Sequence, residues 1–176
     1  MARRLTARFR SDRGQALVEL AFVLPIVMLI LFGIIDFGLA LNNYNADTNL
    51  ANLAARSASV MGTTTSIGCG TQTDTTLKAF VTCEAAATGA PTPTYVCFAD
   101  TSSGSPSATL TTGDSLKIQV QSNFGWLKLL TGGNGYVKGI GLNSTISASA
   151  TMRIEQAPST GTNPFFSTTA TPLCAS

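Results

Sequence analysis

The sequence predicts an α+β protein: a long N-terminal membrane-spanning helix that continues into a small exported domain with an antiparallel sheet. Three observations predict it. No charged residue lies between Leu20 and Ile35, and an apolar run of ~20 residues is the length of helix that crosses ~30 Å of hydrocarbon. Five of the eleven Lys+Arg stand just before that run, as Arg3, Arg4, Arg8, Arg10 and Arg13. After it, Ser144–Glu155 alternates Ile146, Ala148, Ala150, Met152 and Ile154 with Thr145, Ser147, Ser149, Thr151 and Arg153, the period of a half-buried strand.

The charge distribution sets the expected topology. Residues 1–13 carry five cations and one acid, Asp12, while the remainder carries six cations and eight acids. This is the asymmetry of a cytoplasmic N-terminus and an exported C-terminal domain. No basic stripe accompanies the folded part, so nucleic acid is not an expected partner. The absence of histidine removes the commonest general base and the Ser–His and Cys–His nucleophile pairs.

Residues 1–14 read as a basic leader, and residues 15–41 as the transmembrane helix in contact with lipid. Pro25 lacks an N–H and removes the hydrogen bond to the Ala21 carbonyl, so a kink is expected near that turn. Asp36, Phe37 and Gly38 mark the exit from the membrane. The helical period resumes over 42–62, with Ala46, Leu50, Leu53, Ala54, Ser57 and Met61 at spacings of three and four. That spacing predicts an amphipathic extension of the same helix, ~70 Å in all from Gln15 to Met61 at ~1.5 Å per residue.

Residues 63–156 read as the exported α+β domain. Thr63–Thr73 is an expected loop, and Asp74 an expected N-cap for a helix to about Ala87. Strands are expected at Tyr95–Ala99, Ala108–Thr111, Ser115–Ser122 and Ser144–Glu155. Thr112-Gly113-Asp114 joins the second to the third. In Ser115–Ser122, Leu116, Ile118 and Val120 face one way, and Lys117, Gln119 and Gln121 the other. Residues 157–176 form a Pro/Thr/Ser-rich tail.

Between the last two strands lies a long connection containing FGWLKLL. Connections of this length are often functional. Trp126, Leu127, Leu129 and Leu130 form either a short helix on the core or, with Phe124, an apolar contact for a partner or the membrane surface. The Gly-rich stretches at 132–135 and 139–141 are turns, not phosphate loops, because no helix pattern follows them. Asn143-Ser144-Thr145 fits the glycosylation sequon, a pattern common by chance.

Cys69, Cys83, Cys97 and Cys174 all follow the membrane segment. An even count on the exported side predicts two disulfides in an oxidising compartment. Three pairings are open. No CxxC spacing occurs, so a metal site is the weaker reading, and no cofactor is implied.

The residues at the join carry a resemblance. Arg13-Gly14, then Glu19, Pro25 and Asp36-Phe37-Gly38, in RGQALVELAFVLP and GIIDFG, resemble the TadE-like pseudopilins of tight-adherence (Flp-type) pilus systems. ANLAARSASV and ISASATMRIE resemble, in the expected order, the helix and the terminal strand of that family. The resemblance implies a pilin-like fold, no catalysis, and cleavage between Gly14 and Gln15 by a prepilin peptidase. It also implies assembly with other pilin-like subunits and an inner-membrane assembly platform. In that setting Glu19 is the residue for charge pairing in assembly. The expected location is the bacterial inner membrane, single-pass, with the domain periplasmic or extracellular. The rival reading is a signal-anchored exported binding protein or adhesin unrelated to pili. An anchored enzyme using Asp100, Asp114 and Glu84 as carboxylates has no support in their spacing.

Overall fold

A computed structural model describes residues 11–60, 67–69, 72–74, 76–101, 110–126, 143–156 and 171–174. The chain forms two compact units, Met1–Gly38 and Leu39–Ser176. Helix α1, Ser11–Ser59, contributes to both. It begins before Gly14, inside the expected leader: Ser11–Gly14 contains no proline, and a single glycine weakens a helix without ending it. It is helical through Pro25.

In the first unit α1 is an apolar rod, exposed at every position from Gly14 to Leu31. Its large side chains are exposed, with Phe22 74 % and Leu29 73 % accessible. It is long and apolar enough to cross a membrane. A helix suits that medium because every backbone group within it is paired inside the segment.

In the second unit the same helix is the spine of a core. Leu50, Ala51, Ala54, Ala55 and Ala58 are buried, at the three- and four-residue spacing of one helix face. The buried face is rotated from the expected one: Leu53 is 40 % exposed and Ser57 half-buried, while Met61 lies outside the described residues. The buried face is made of small side chains, since four of these five residues are alanine. The C-terminal end of α1 is also satisfied, since the Ser59 carbonyl accepts from the Glu155 and Gln156 amides at 3.0 and 3.3 Å.

Residues expected as loop form a small hairpin instead, β1 (Ile67–Cys69) antiparallel to β2 (Gln72–Asp74). Asp74 is thereby in a strand and is not the cap of α2 (Leu77–Thr88). Thr76 is the cap, its Oγ1 accepting from the Ala79 amide at 3.1 Å. Helix α2 ends at Gly89 in the left-handed conformation, φ 69°. There the Ala90 amide donates to the Ala85 carbonyl at 2.9 Å, a common helix stop. Leu77, Phe80, Val81 and Ala85 are its buried residues.

The main sheet is antiparallel, in the order β3 (Tyr95–Asp100), β4 (Ser115–Gly125), β5 (Asn143–Arg153). Ile118 pairs with Phe98 and Ala150, and Val120 with Val96 and Ala148. These residues are all buried. The strand expected at Ala108–Thr111 is not formed at Leu110 or Thr111; Ala108 and Thr109 lie outside the described residues. Thr111 instead belongs to the turn before β4. The Asp114 carboxylate accepts from its amide at 2.7 Å and its hydroxyl at 2.5 Å. Gly113, at φ 101°, donates its amide to the Ile154 carbonyl at 2.8 Å.

Two disulfides close the second unit, Cys69–Cys83 and Cys97–Cys174. The second ties the C-terminal residues to β3, where Leu173 bridges Phe98 in parallel and the Cys174 amide donates to the Phe98 carbonyl at 3.1 Å. Their sequence separations are 14 and 77 residues. Loop-closure entropy assigns them about 3 and about 4.5 kcal/mol. Removing Cys97–Cys174 by a double Cys→Ala change therefore lowers stability more than removing Cys69–Cys83, by about 1–2 kcal/mol. Urea unfolding of the full chain, followed by Trp126 fluorescence, measures the difference.

Candidate functional site

The residues at the join lie on one accessible helix. Gly14 is surrounded by open space: a side chain placed there would meet no atom within 4 Å of its Cβ. Gln15 and Glu19 are four residues apart and therefore neighbours on the helix surface. The Gln15 side-chain amide donates to a Glu19 carboxylate oxygen at 3.5 Å, and both residues are exposed. Among the described residues Glu19 thus has only a long, exposed contact to hold it while the apolar side chains around it lie uncovered. Asp36 differs from it, being 4 % exposed and engaged within the chain, while the adjacent Phe37 is 58 % exposed.

The FGWLKLL residues divide. Phe124 and Gly125 belong to β4, and Phe124 is buried, its ring meeting Trp126 edge to face at 5.1 Å. The strand pairing of β4 with β5 runs through Phe124 to Gly125, and Trp126 stands in the turn that follows. Leu127, Leu129 and Leu130 lie outside the described residues. The carboxylates Asp100 and Asp114 stand apart in role: Asp100 is buried at the end of β3, and Asp114 holds the turn before β4.

One functional candidate is not apparent in the sequence. Asp47 is fully buried on α1 and accepts a 2.6 Å hydrogen bond from the Ser122 hydroxyl of β4. Its other oxygen, Oδ1, has no hydrogen-bond partner among the described residues. Asp47 occupies the place one step before Leu50 and Ala51 on the buried face, so the helical period contains it. Its charge is what hides it. Burial raises its carboxyl above the ordinary 3.8, and the Ser122 hydrogen bond opposes the rise.

The fold defines a membrane-anchored protein whose apolar helix carries a small disulfide-closed α+β domain. Residues 14–56 match the family described as TadE-like protein, and over that segment alone the chain is similar to that family. Among the described residues no cluster of three or more His, Cys, Asp or Glu fits a metal ion. No curated protein and no solved structure matches the chain.

The buried acid gives a pH dependence with a defined sign. Between the ordinary carboxyl value of 3.8 and the raised native one, the folded chain binds more proton than the unfolded chain. Its stabilising contribution is complete below the unfolded value and is lost as pH rises through the native value. Asp47→Asn removes that part of the pH dependence. Asp47→Ala leaves the Ser122 hydroxyl buried without its acceptor and costs about 1–3 kcal/mol. Urea midpoints of the full chain from about pH 4 to about pH 8 test both.

Proposed function

We propose that this chain is a minor pilin-like subunit of a tight-adherence (Flp-type) pilus, processed by a prepilin peptidase between Gly14 and Gln15. The observation that carries the reading is the TadE-like match over residues 14–56, which covers the uncovered apolar helix together with Glu19. The basic residues before the helix favour a cytoplasmic N-terminus. The two disulfides suit a domain on the oxidising side of the inner membrane. Other pilin-like subunits and an inner-membrane platform are the partners this reading requires.

In this reading processing creates what assembly uses. Cleavage makes Gln15 the new N-terminus, with a free α-amine about one helical turn from Glu19. A carboxylate carried into an apolar helix bundle is costly unless it is paired. The positive end of its own helix offsets part of that cost. The α-amine of a neighbouring subunit offsets more, and only at the axial register where the two groups meet. The exposed carboxylate is therefore a register device between packed helices.

Intact-mass measurement of protein extracted from the membrane should give a chain that starts at Gln15. Gly14→Phe should retain the leader; the open space around Gly14 makes that a report on the peptidase and not on folding. Glu19→Ala should leave membrane insertion, processing and both disulfides intact while reducing co-purification with pilin-type partners about tenfold or more, the equivalent of ~1.4 kcal/mol. Normal assembly of Glu19→Ala would overturn the pairing role. A mature protein that still begins at Met1 would overturn the pilin reading.

A further inference from the structure

A cleft of about 510 Å³ opens in the second unit. Its first wall is α1 from Asn42 to Leu53, and Asn42 directly follows Leu41, the last apolar residue of the membrane run. The second wall is the turn from Thr88 to Pro91 that ends α2, and the third is Asn123 of β4. Four asparagines, Asn42, Asn43, Asn49 and Asn123, line it. None of the four makes a side-chain hydrogen bond with the described residues. The remaining α1 lining is apolar, from Ala46, Leu50 and Leu53. Among the described residues no charged or aromatic side chain lines the cleft.

All three walls are held in place. Asp47 and Ser122, joined at 2.6 Å, are the immediate chain neighbours of Ala46 and Asn123. The α2 wall is fixed by the left-handed Gly89 and by the Ala90 amide on the Ala85 carbonyl. The cleft is therefore formed before any ligand arrives, which lowers the cost of binding.

We propose that this cleft binds a neutral saccharide. Each carboxamide offers one acceptor and two donors, a set that bridges adjacent hydroxyl groups of a sugar ring. The Ala46, Leu50 and Leu53 side suits the C–H face of the same ring. The volume lies within the ~300–1,000 Å³ of small-molecule sites. A phosphate, carboxylate or nucleotide ligand would lack a cation here, and a nucleobase would lack a stacking partner. An extended peptide would find only the short β4 edge beyond Gln121, where the pairing with β3 ends, and peptide addition to a sheet relies on a run of main-chain hydrogen bonds. The sugar reaches the cleft either as a free glycan or as the headgroup of a neutral glycolipid, since the α1 wall starts at the end of the membrane run.

The inference is independent of the pilus reading. The full chain is placed in phosphatidylcholine nanodiscs free of glycosidic detergent and titrated by calorimetry. The probes are cellobiose, maltose and diacetylchitobiose, with glucose 6-phosphate and an uncharged Gly/Ala/Thr pentapeptide beside them. At least one neutral disaccharide should bind saturably, and the phosphorylated sugar and the peptide should not. Asn43→Ala/Asn49→Ala should weaken that binding at least about tenfold, with both disulfides retained. Ser149→Ala, on the exposed face of β5, should leave it unchanged. Competition by digalactosyl lipid incorporated in the nanodisc assigns the lipid-borne source, and its absence assigns the free glycan. Binding by the peptide in place of the sugars, equal binding by the double variant, or no saturable binding of any neutral disaccharide would each overturn the proposal.

Discussion

A single helix in this chain has to satisfy two surroundings. Over its first part no large apolar side chain is buried by the protein itself, so stability there depends on an apolar exterior. Over its later part the same secondary structure must pack against a sheet in water, and hydrophobic burial is the driving force. The sequence meets the two demands with different side-chain sizes. Leu, Ile, Val and Phe clothe the first part all round. Ala51, Ala54, Ala55 and Ala58 line one face of the second. A helix that turns an alanine face to its core allows close packing, and a larger residue at Ala54 or Ala55 would meet neighbours already in contact, at about 1–3 kcal/mol for overpacking.

The domain that packs there has little charge with which to stabilise itself and a core of modest size. Its largest fully buried side chains, Phe98, Leu77, Leu116 and Ile118, come from α2 and the two strands β3 and β4. Strand β5 adds mostly Ala to that face, and its outward residues are exposed. The two disulfides tie short segments to larger elements. One joins the small hairpin to α2, and the other joins the C-terminal residues to the β3 edge of the sheet. Both restrict the unfolded chain, so they add stability without requiring more apolar surface.

The fold is legible in the sequence wherever one period dominates. Leu116, Ile118 and Val120 alternate and are buried; Ala148, Ala150 and Ile154 do the same. The helix face after the membrane run is misplaced when large residues are counted as the buried side, since Leu53 is exposed while Ala51 and Ala55 are not. The β1–β2 hairpin is hidden because strands of three residues offer too few positions for an alternation to show. The cap of α2 differs from expectation by two residues, since Asp74 and Thr76 are both favourable caps and only the hairpin decides between them. Of the candidate sites, Glu19 stands out because a charge in an apolar run is costly. The amide cleft has no linear signature, because Asn42, Asn49 and Asn123 meet only when α1, α2 and β4 are assembled.

Glu19 and Asp47 show how differently one helix can carry a carboxylate. Asp47 lies on the buried face and has a hydroxyl partner within the chain, so its desolvation is incurred on folding and is present in every copy. Glu19 is exposed with a single long contact, to Gln15, among the described residues, so its desolvation is deferred until something apolar covers the helix. A carboxylate of the first kind fixes the helix against the sheet of its own domain. One of the second kind leaves the single chain nearly unaffected and acts on whatever packs against it. That difference in timing is why the two positions separate by experiment: changes at Asp47 act on the stability of each chain by itself, and under the proposed pairing role changes at Glu19 act once helices from more than one chain are brought together.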